Sequence, residues 1–169
     1  HAINQLESLI PFYAQPTFRA GITAGYASSE AGGLVTYKLP ADFARVRANP
    51  GDLGGRSSGR PGRLYRIEVL GEDMRPMPPG EVGELAISGP SVFRGYWERP
   101  DDTAKVLRDG WLMTGDLAMK DDAGYIHLRG RSRDVIRSGG MNVYPAEIEP
   151  LLLQYPGVTE AAVIGVADP

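Results

Sequence analysis

The chain has 169 residues, of which 42% are hydrophobic and 23% are charged, and its 18 Lys and Arg against 21 Asp and Glu leave a net charge of -3. This length predicts one domain, or one and part of another, with a substantial core. The lack of cysteine excludes a disulfide scaffold and is compatible with the cytoplasm, where we expect the protein to lie. The acidic balance argues against a nucleic acid partner. No apolar run reaches the roughly 20 residues that span a bilayer.

The chain contains 22 glycines and 14 prolines, about a fifth of all residues. They punctuate apolar segments, a pattern typical of strand-rich proteins with tight connections. The first segment, residues 2–10, has apolar side chains at helical spacing and ends at Pro11, which predicts the tail of a helix. Residues 42–61 are rich in Gly, Ser and Arg and predict a loop, while the alternating segments 64–70 and 83–88 predict a hairpin.

A short helix is predicted over residues 100–107, because Pro100 suits a first helical position and two aspartates follow it. Strands are predicted near Trp111 and over 125–128. After Gly130 the order changes to a predicted strand at 134–136, a loop at 138–140, a helix at 146–155 and a strand at 161–166. We therefore place a domain boundary near Gly130.

Residues 25–30, Gly-Tyr-Ala-Ser-Ser-Glu, form the first candidate ligand-binding cluster. Tyr26 offers a ring that can stack on a base, the serines offer hydroxyls for a phosphate, and Glu30 offers oxygens for a hard cation. The alternative is a core aromatic residue followed by a Ser-rich helix cap, with Ser28 or Ser29 as the N-cap. Another aromatic pair, Tyr96 and Trp97, is most simply read as core.

Two further clusters follow along the chain. Asp116 comes after Thr-Gly at a predicted strand end, and its two oxygens suit the two hydroxyls of a ribose; the alternative is an Asx turn. The third cluster pairs Arg131, suited to phosphate or ribose oxygens, with Gly139 and Gly140, where a ligand can approach the backbone closely. Its alternative is a charged linker followed by a β-turn.

In order along the chain, these clusters resemble the motifs of the adenylate-forming superfamily of acyl- and aryl-CoA synthetases, peptide-synthetase adenylation domains and luciferases. Residues 25–30 resemble the family's Gly-Tyr-Gly-x-Thr-Glu, and residues 79–84 its Pro-Gly-Glu-x-Gly-Glu hairpin. Residues 109–116, Asp-Gly-Trp-Leu-Met-Thr-Gly-Asp, resemble its Asp-Gly-Trp-x-x-Thr-Gly-Asp, and residues 130–149 resemble the motif that opens its small domain. Ala27 and Ser29 depart from the usual Gly and Thr.

The resemblance implies an α/β (mixed α+β) adenylate-forming fold. Residues 1–132 would be the β-barrel-like end of the large AMP-binding domain, and residues 133–169 the hinge and the start of the small α+β C-terminal domain. The family's phosphate loop would lie upstream of His1 and its catalytic lysine downstream of Pro169. We therefore interpret the chain as a central fragment and expect it to be inactive alone.

The implied reaction is that of an acyl-CoA ligase, in which ATP and Mg²⁺ activate a carboxylic acid to an acyl-adenylate and CoA then displaces AMP. The residue roles that the resemblance implies are adenine stacking by Tyr26, a catalytic α-phosphate contact from Ser29, Mg²⁺ ligation by the catalytic Glu30, ribose binding by Asp116, a ribose or phosphate contact from Arg131, a hinge at Arg133, and a pantetheine path along Gly139 and Gly140. Two alternatives remain: a domain that loads a carrier protein, and a non-catalytic β-rich module that binds a nucleotide.

Overall fold

The computed structural model describes residues 23–48 and 57–166. The predicted helix at 2–10 lies outside these residues, as does part of the predicted loop at 42–61. The described elements are β1 (Ala27–Ser28), β2 (Gly33–Leu34), β3 (Thr36–Tyr37), α1 (Pro40–Ala48), β4 (Arg60–Pro61), β5 (Arg66–Leu70), β6 (Val82–Ser88), α2 (Pro100–Val106), β7 (Leu107–Arg108), β8 (Trp111–Lys120), β9 (Ile126–Arg131), β10 (Ile136–Ser138), β11 (Met141–Val143) and α3 (Pro145–Leu152). A 3-10 turn at Ser132–Asp134 lies between β9 and β10.

The main sheet has five strands, all antiparallel to their neighbours. Strands β5 and β6 form the predicted hairpin, in which Arg66 pairs with Ser88 and Leu70 with Glu84. Strand β6 then pairs with β8. The other edge of β8 pairs first with β7 and, from Asp116 onward, with β9. The long strand β8 is therefore the centre of the sheet.

The larger buried cluster lies on one face of this sheet, and a smaller one, formed by Leu70, Ala86 and Met113, lies at positions that alternate with it along the strands. Each fully buried Val, Leu or Ile contributes about 1.5–3 kcal/mol relative to an exposed one, so both clusters stabilise the sheet. The larger cluster includes residues from the segment of short strands near the start of the described chain. It consists of Tyr26, Ala31, Val35, Ile67, Val69, Leu85, Ile87, Leu112, Ala118 and Ile126.

The prediction of a loop over 42–61 is wrong in its first part, because α1 occupies Pro40–Ala48. The backbone N–H of Leu39 donates to Asp42 Oδ2 at 2.8 Å, a contact that closes the first turn of this helix. The other oxygen, Asp42 Oδ1, accepts the hydroxyl of Tyr125 at 2.6 Å. These contacts tie α1 to the loop that precedes β9.

Helix α2 confirms the prediction at 100–107, with Pro100 at its start and two aspartates in its first turn. The segment before it corrects another prediction. Trp97 is not in the core, since 87% of its surface is exposed. Tyr96 is half-buried instead, and its ring packs edge-on against Phe93 with the ring centres 4.9 Å apart.

After β9, the predicted strand at 134–136 is displaced: a 3-10 turn covers Ser132–Asp134, and β10 begins at Ile136. Helix α3 covers Pro145–Leu152 rather than 146–155 and includes Pro150. Residues 161–166, predicted as a strand, form no strand in the structure, because they pair with no neighbouring strand among the described residues. Instead, the N–H of Val163 donates to Glu149 Oε1 of α3 at 3.1 Å.

Candidate functional site

The first and second sequence clusters meet at one cavity of about 870 Å³ beside the main sheet. Its walls come from the turn between β1 and β2, from the loop before α2, and from β8 and β9. The described residues that line it are Tyr26, Ala27, Ser28, Ser29, Glu30, Gly32, Gly33, Tyr96, Val106, Leu112, Met113, Thr114, Asp116, Leu128 and Arg131.

The β1–β2 turn presents the first cluster to this cavity. Ser28 is the residue that closes the turn, since its Oγ accepts the N–H of Ala31 at 3.1 Å. Ser29 is exposed and is one of the residues that line the cavity. Ala27 does not have a positive φ, and the methyl group that replaces the family's usual glycine is therefore accommodated without backbone strain.

Tyr26 is 8% exposed and reaches across the cavity floor to β8. Its hydroxyl donates a short hydrogen bond of 2.5 Å to Asp116 Oδ2. Burial, and then the hydrogen bond to the Asp116 carboxylate, raise the pKa of Tyr26 well above its ordinary value. The phenol therefore stays protonated and remains a donor to the carboxylate at any ordinary pH.

Asp116 and Arg131 face each other because they are paired across β8 and β9. Arg131 Nε lies 2.9 Å from Asp116 Oδ1, and Arg131 Nη1 donates to the carbonyl oxygen of Thr114 at 3.3 Å. Each carboxylate oxygen has two lone pairs. The contacts to Tyr26 and Arg131 thus leave one acceptor position on each oxygen of Asp116, which is the arrangement that two vicinal hydroxyls require.

The sequence predicted Asp116 at a strand end. In the structure it lies inside β8. The chain bends there because Gly115 has a φ of 72°, in the left-handed region that a residue with a side chain rarely adopts. The Asx-turn alternative is not supported, because both oxygens of the Asp116 carboxylate contact side chains distant in sequence, Tyr26 Oη and Arg131 Nε.

Glu30 lies on the opposite wall of the cavity, where Tyr96 Oη donates to its Oε1 at 2.9 Å. This hydrogen bond, and then burial, raise the pKa of Tyr96. Tyr96 is itself anchored to α2 through its N–H, which donates to Thr103 Oγ1 at 2.9 Å. The Glu30 carboxylate is therefore held at one oxygen and has acceptor capacity left for a further ligand.

The described residues contain no group of three His, Asp or Glu side chains placed to hold a metal ion. Glu30 fits a Mg²⁺ ion that takes its remaining ligands from phosphate oxygens and water, the usual way in which Mg²⁺ binds nucleotides. A site of all-protein ligands does not fit these residues.

The remaining predicted site residues are exposed and outside the lining of this cavity. Arg133 lies in the 3-10 turn, with its Nε 3.6 Å from Asp134 Oδ1. Gly139 and Gly140 connect β10 to β11 with φ angles of 57° and 81°. The two glycines therefore form a β-turn, and their role toward pantetheine stays a prediction.

Sequence reasoning missed two residues that line the cavity and a third that hydrogen-bonds to β8 beside Asp116. Tyr96 was assigned to the core, and Thr114 and Glu84 were given no role. Tyr96 belongs to the aromatic pair already noted, Thr114 to the motif at residues 109–116, and Glu84 to the motif at residues 79–84. What the patterns do not reveal is the hydrogen bonds of these side chains, which join residues between 29 and 66 positions apart.

None of the helices within residues 23–48 and 57–166 is sufficiently long and apolar to cross a membrane.

Comparison with known proteins gives a consistent result. The family model described as AMP-binding enzyme matches residues 7–97. Feruloyl-CoA synthase from an Amycolatopsis species is 48% identical over 145 residues, which cover 86% of this chain and 28% of that protein. A long-chain-fatty-acid–CoA ligase from Escherichia coli O6:H1 is 42% identical over 135 residues, covering 79% of this chain and 24% of that protein. The chain thus spans less than a third of the length of these relatives.

Solved structures with the same fold include o-succinylbenzoate CoA synthetase from Bacillus subtilis in complex with its acyl-adenylate intermediate. It has a TM-score of 0.80 and 30% sequence identity, and the match covers 99% of this chain and 31% of that one. The amide bond synthetase from Marinactinospora thermotolerans has a TM-score of 0.75 and 35% identity, covering 87% of this chain and 28% of that one. The expected adenylate-forming fold is therefore confirmed, and the chain belongs to the AMP-binding enzyme family.

Proposed function

We propose that this chain forms the nucleoside side of the ATP site in an acyl-CoA ligase. The observation that carries the proposal is the Asp116 carboxylate, which is held by Tyr26 and Arg131 and keeps one acceptor position on each oxygen for a ribose hydroxyl. The support for a CoA ligase comes from the relatives, a feruloyl-CoA synthase and a fatty-acid–CoA ligase.

In the proposed reaction, a carboxylate oxygen of the acid attacks the α-phosphorus of ATP, and the bond from that phosphorus to the pyrophosphate oxygen breaks. The sulfur of CoA then attacks the acyl carbon, loses its proton, and releases AMP. The protein's part in such a reaction is to position the reactants and to stabilise developing charge.

The described residues divide this work between the two walls of the cavity. Tyr26 would stack on adenine, and Asp116 would accept both ribose hydroxyls, with Arg131 beside the ribose or its phosphate. On the other wall, the Ser29 hydroxyl would donate to the α-phosphate, and Glu30 would ligate Mg²⁺. The ion, when bound, supplies positive charge to the phosphate oxygens.

We extend the proposal to the domain arrangement. Residues 1–132 would belong to the large domain, and residues 133–169 would swing about Arg133 between the two half-reactions, bringing Gly139 and Gly140 to the pantetheine. A cytoplasmic location is part of the same proposal, and it is compatible with a chain that has no cysteine.

The proposal is tested by titrating AMP into the full protein that contains this chain and into its Asp116→Ala variant. Hydrogen bonds to a charged group contribute about 1.5–3 kcal/mol each, so losing one weakens binding about ten- to hundred-fold. Asp122→Ala is the matched control, because it removes an exposed aspartate from the turn after β8. Equal AMP affinity in all three proteins would contradict the ribose assignment.

A second candidate function differs only in the acceptor of the acyl group. The 35% identity to an amide bond synthetase supports an amine as the alternative acceptor. Pyrophosphate exchange with a panel of carboxylic acids first identifies the acid. Either CoA or an amine is then added to the resulting adenylate, and the product formed separates the two candidates.

A further inference from the structure

Strands β6 and β8 lose their regular pairing beside Asp116. Glu84 pairs with Leu117, and Ala86 pairs with Met113. The single β6 residue between Glu84 and Ala86 therefore faces three residues of β8, 114–116. We call these three residues the bulge. Bulges re-aim side chains and are frequent next to active sites, and this one carries the carboxylate that faces the cavity.

The bulge removes backbone groups from the regular hydrogen bonding of the sheet, and buried backbone groups must find other partners. Side chains supply these partners. Glu84 Oε1 accepts the N–H of Gly115 at 2.9 Å, and Thr114 Oγ1 donates to the carbonyl oxygen of Leu85 at 2.8 Å. The same Thr114 oxygen accepts the N–H of Asp116.

Among these contacts, the one from Glu84 comes from outside the bulge and acts on its central peptide. Gly115 is in the left-handed region, and a carboxylate acceptor on its N–H favours the peptide orientation from which Asp116 projects into the cavity. Glu84 does not line the cavity, so any effect on a ligand must pass through the bulge.

We infer that Glu84 is a positioning residue for the nucleotide site, fixing the Asp116 carboxylate by holding the N–H of Gly115. The inference rests on the proposed function, because its readout is AMP binding. It requires an acceptor oxygen at the distance that a glutamate side chain reaches, and not merely a negative charge near the bulge.

Two substitutions of Glu84 in the full protein separate reach from charge. Glu84→Gln keeps an oxygen at the same reach without the charge, and its AMP affinity should stay within about three-fold of the unmodified protein. Glu84→Asp keeps the charge but is one methylene shorter, and AMP affinity should fall about ten-fold. Glu81→Ala removes an exposed carboxylate from the same hairpin and should leave AMP affinity unchanged.

Calorimetry with AMP gives the affinities, and thermal melting without ligand reports stability alongside. Weak binding by Glu84→Asp together with normal binding by Glu84→Gln supports the inference. Normal binding by Glu84→Asp, or a fall in melting temperature with AMP affinity unchanged, overturns it. If Asp116→Ala also binds AMP normally, the proposed function itself fails; if only the Glu84 variants bind normally, the positioning role alone fails.

Discussion

Replacing Tyr26 with phenylalanine removes one hydroxyl and leaves the ring that lines the cavity. The lost hydrogen bond is the 2.5 Å contact to Asp116 Oδ2. A hydrogen bond to a charged group contributes about 1.5–3 kcal/mol. The substitution should therefore lower the free energy of unfolding at neutral pH by an amount in that range. Arg131 still holds the other carboxylate oxygen at 2.9 Å, so we expect the lower end and an intact fold.

The pH dependence of this loss has a definite sign. Burial and the Asp116 carboxylate raise the pKa of Tyr26 in the folded protein above the value of about 10 in the unfolded chain. Below pH 10 the tyrosine is protonated in both states, and its stabilising contribution is complete. As the pH rises above about 10, the unfolded state loses a proton that the folded state keeps, so stability falls by up to about 1.4 kcal/mol per pH unit. The Tyr26→Phe variant has no phenol at this position and lacks this pH dependence.

Urea denaturation of the unmodified protein and of Tyr26→Phe, at about pH 8 and about pH 11, measures the effect. The stability advantage of the unmodified protein should shrink by about 1.4 kcal/mol between these pH values. Tyr155→Phe is the matched control, because it removes the hydroxyl of a tyrosine that is 66% exposed. Stability differences that stay constant with pH for Tyr26→Phe would refute the reasoning.

Two further substitutions test the other wall of the cavity and the β10–β11 turn. Tyr96→Phe removes the donor to Glu30, and ATP binding in the presence of Mg²⁺ should weaken several-fold while AMP binding without the metal stays unchanged; equal losses in both titrations would contradict this. Gly140 has a φ of 81°, so Gly140→Leu should lower the melting temperature and the rates of both half-reactions. Asparagine tolerates this backbone region, so Gly140→Asn tests the pantetheine path directly. Retained pyrophosphate exchange with lost thioester formation in Gly140→Asn supports the path, and full activity contradicts it.

Local patterns in the sequence sufficed for the hairpin of β5 and β6 and for α2. The alternation of apolar and polar residues over 64–70 and the Pro-Asp-Asp start of α2 are both short-range signals. The start of α1 carries a similar signal, Pro40 followed by Asp42, yet the Gly, Ser and Arg content of the residues beyond it pointed to a loop. The helix was missed because residues 42–48 were grouped with the Gly-, Ser- and Arg-rich residues that follow them, although its start carries a helix signal.

The candidate site depends on long-range pairing, which local patterns do not contain. Tyr26 and Asp116 are 90 positions apart, and their contact requires both the register of β8 and the bulge within it. For each cluster alone, a turn or a cap was at least as good an explanation as a ligand site. Only the order of the motifs along the chain linked the residues, and that order says nothing about Glu84 or Tyr96 as hydrogen-bonding partners.

The charges around the cavity indicate which half of a nucleotide these residues suit. Among the described residues that line it, Glu30 and Asp116 are acidic and Arg131 is the one basic side chain. Arg131 is already paired with Asp116, so this surface has little positive charge to offer a triphosphate. It does offer an aromatic ring and a carboxylate with open acceptor positions, which suit a nucleoside. The phosphates of ATP would then need cations from elsewhere, such as Mg²⁺ at Glu30, and charge neutralisation of the phosphates becomes a separate requirement from nucleoside recognition.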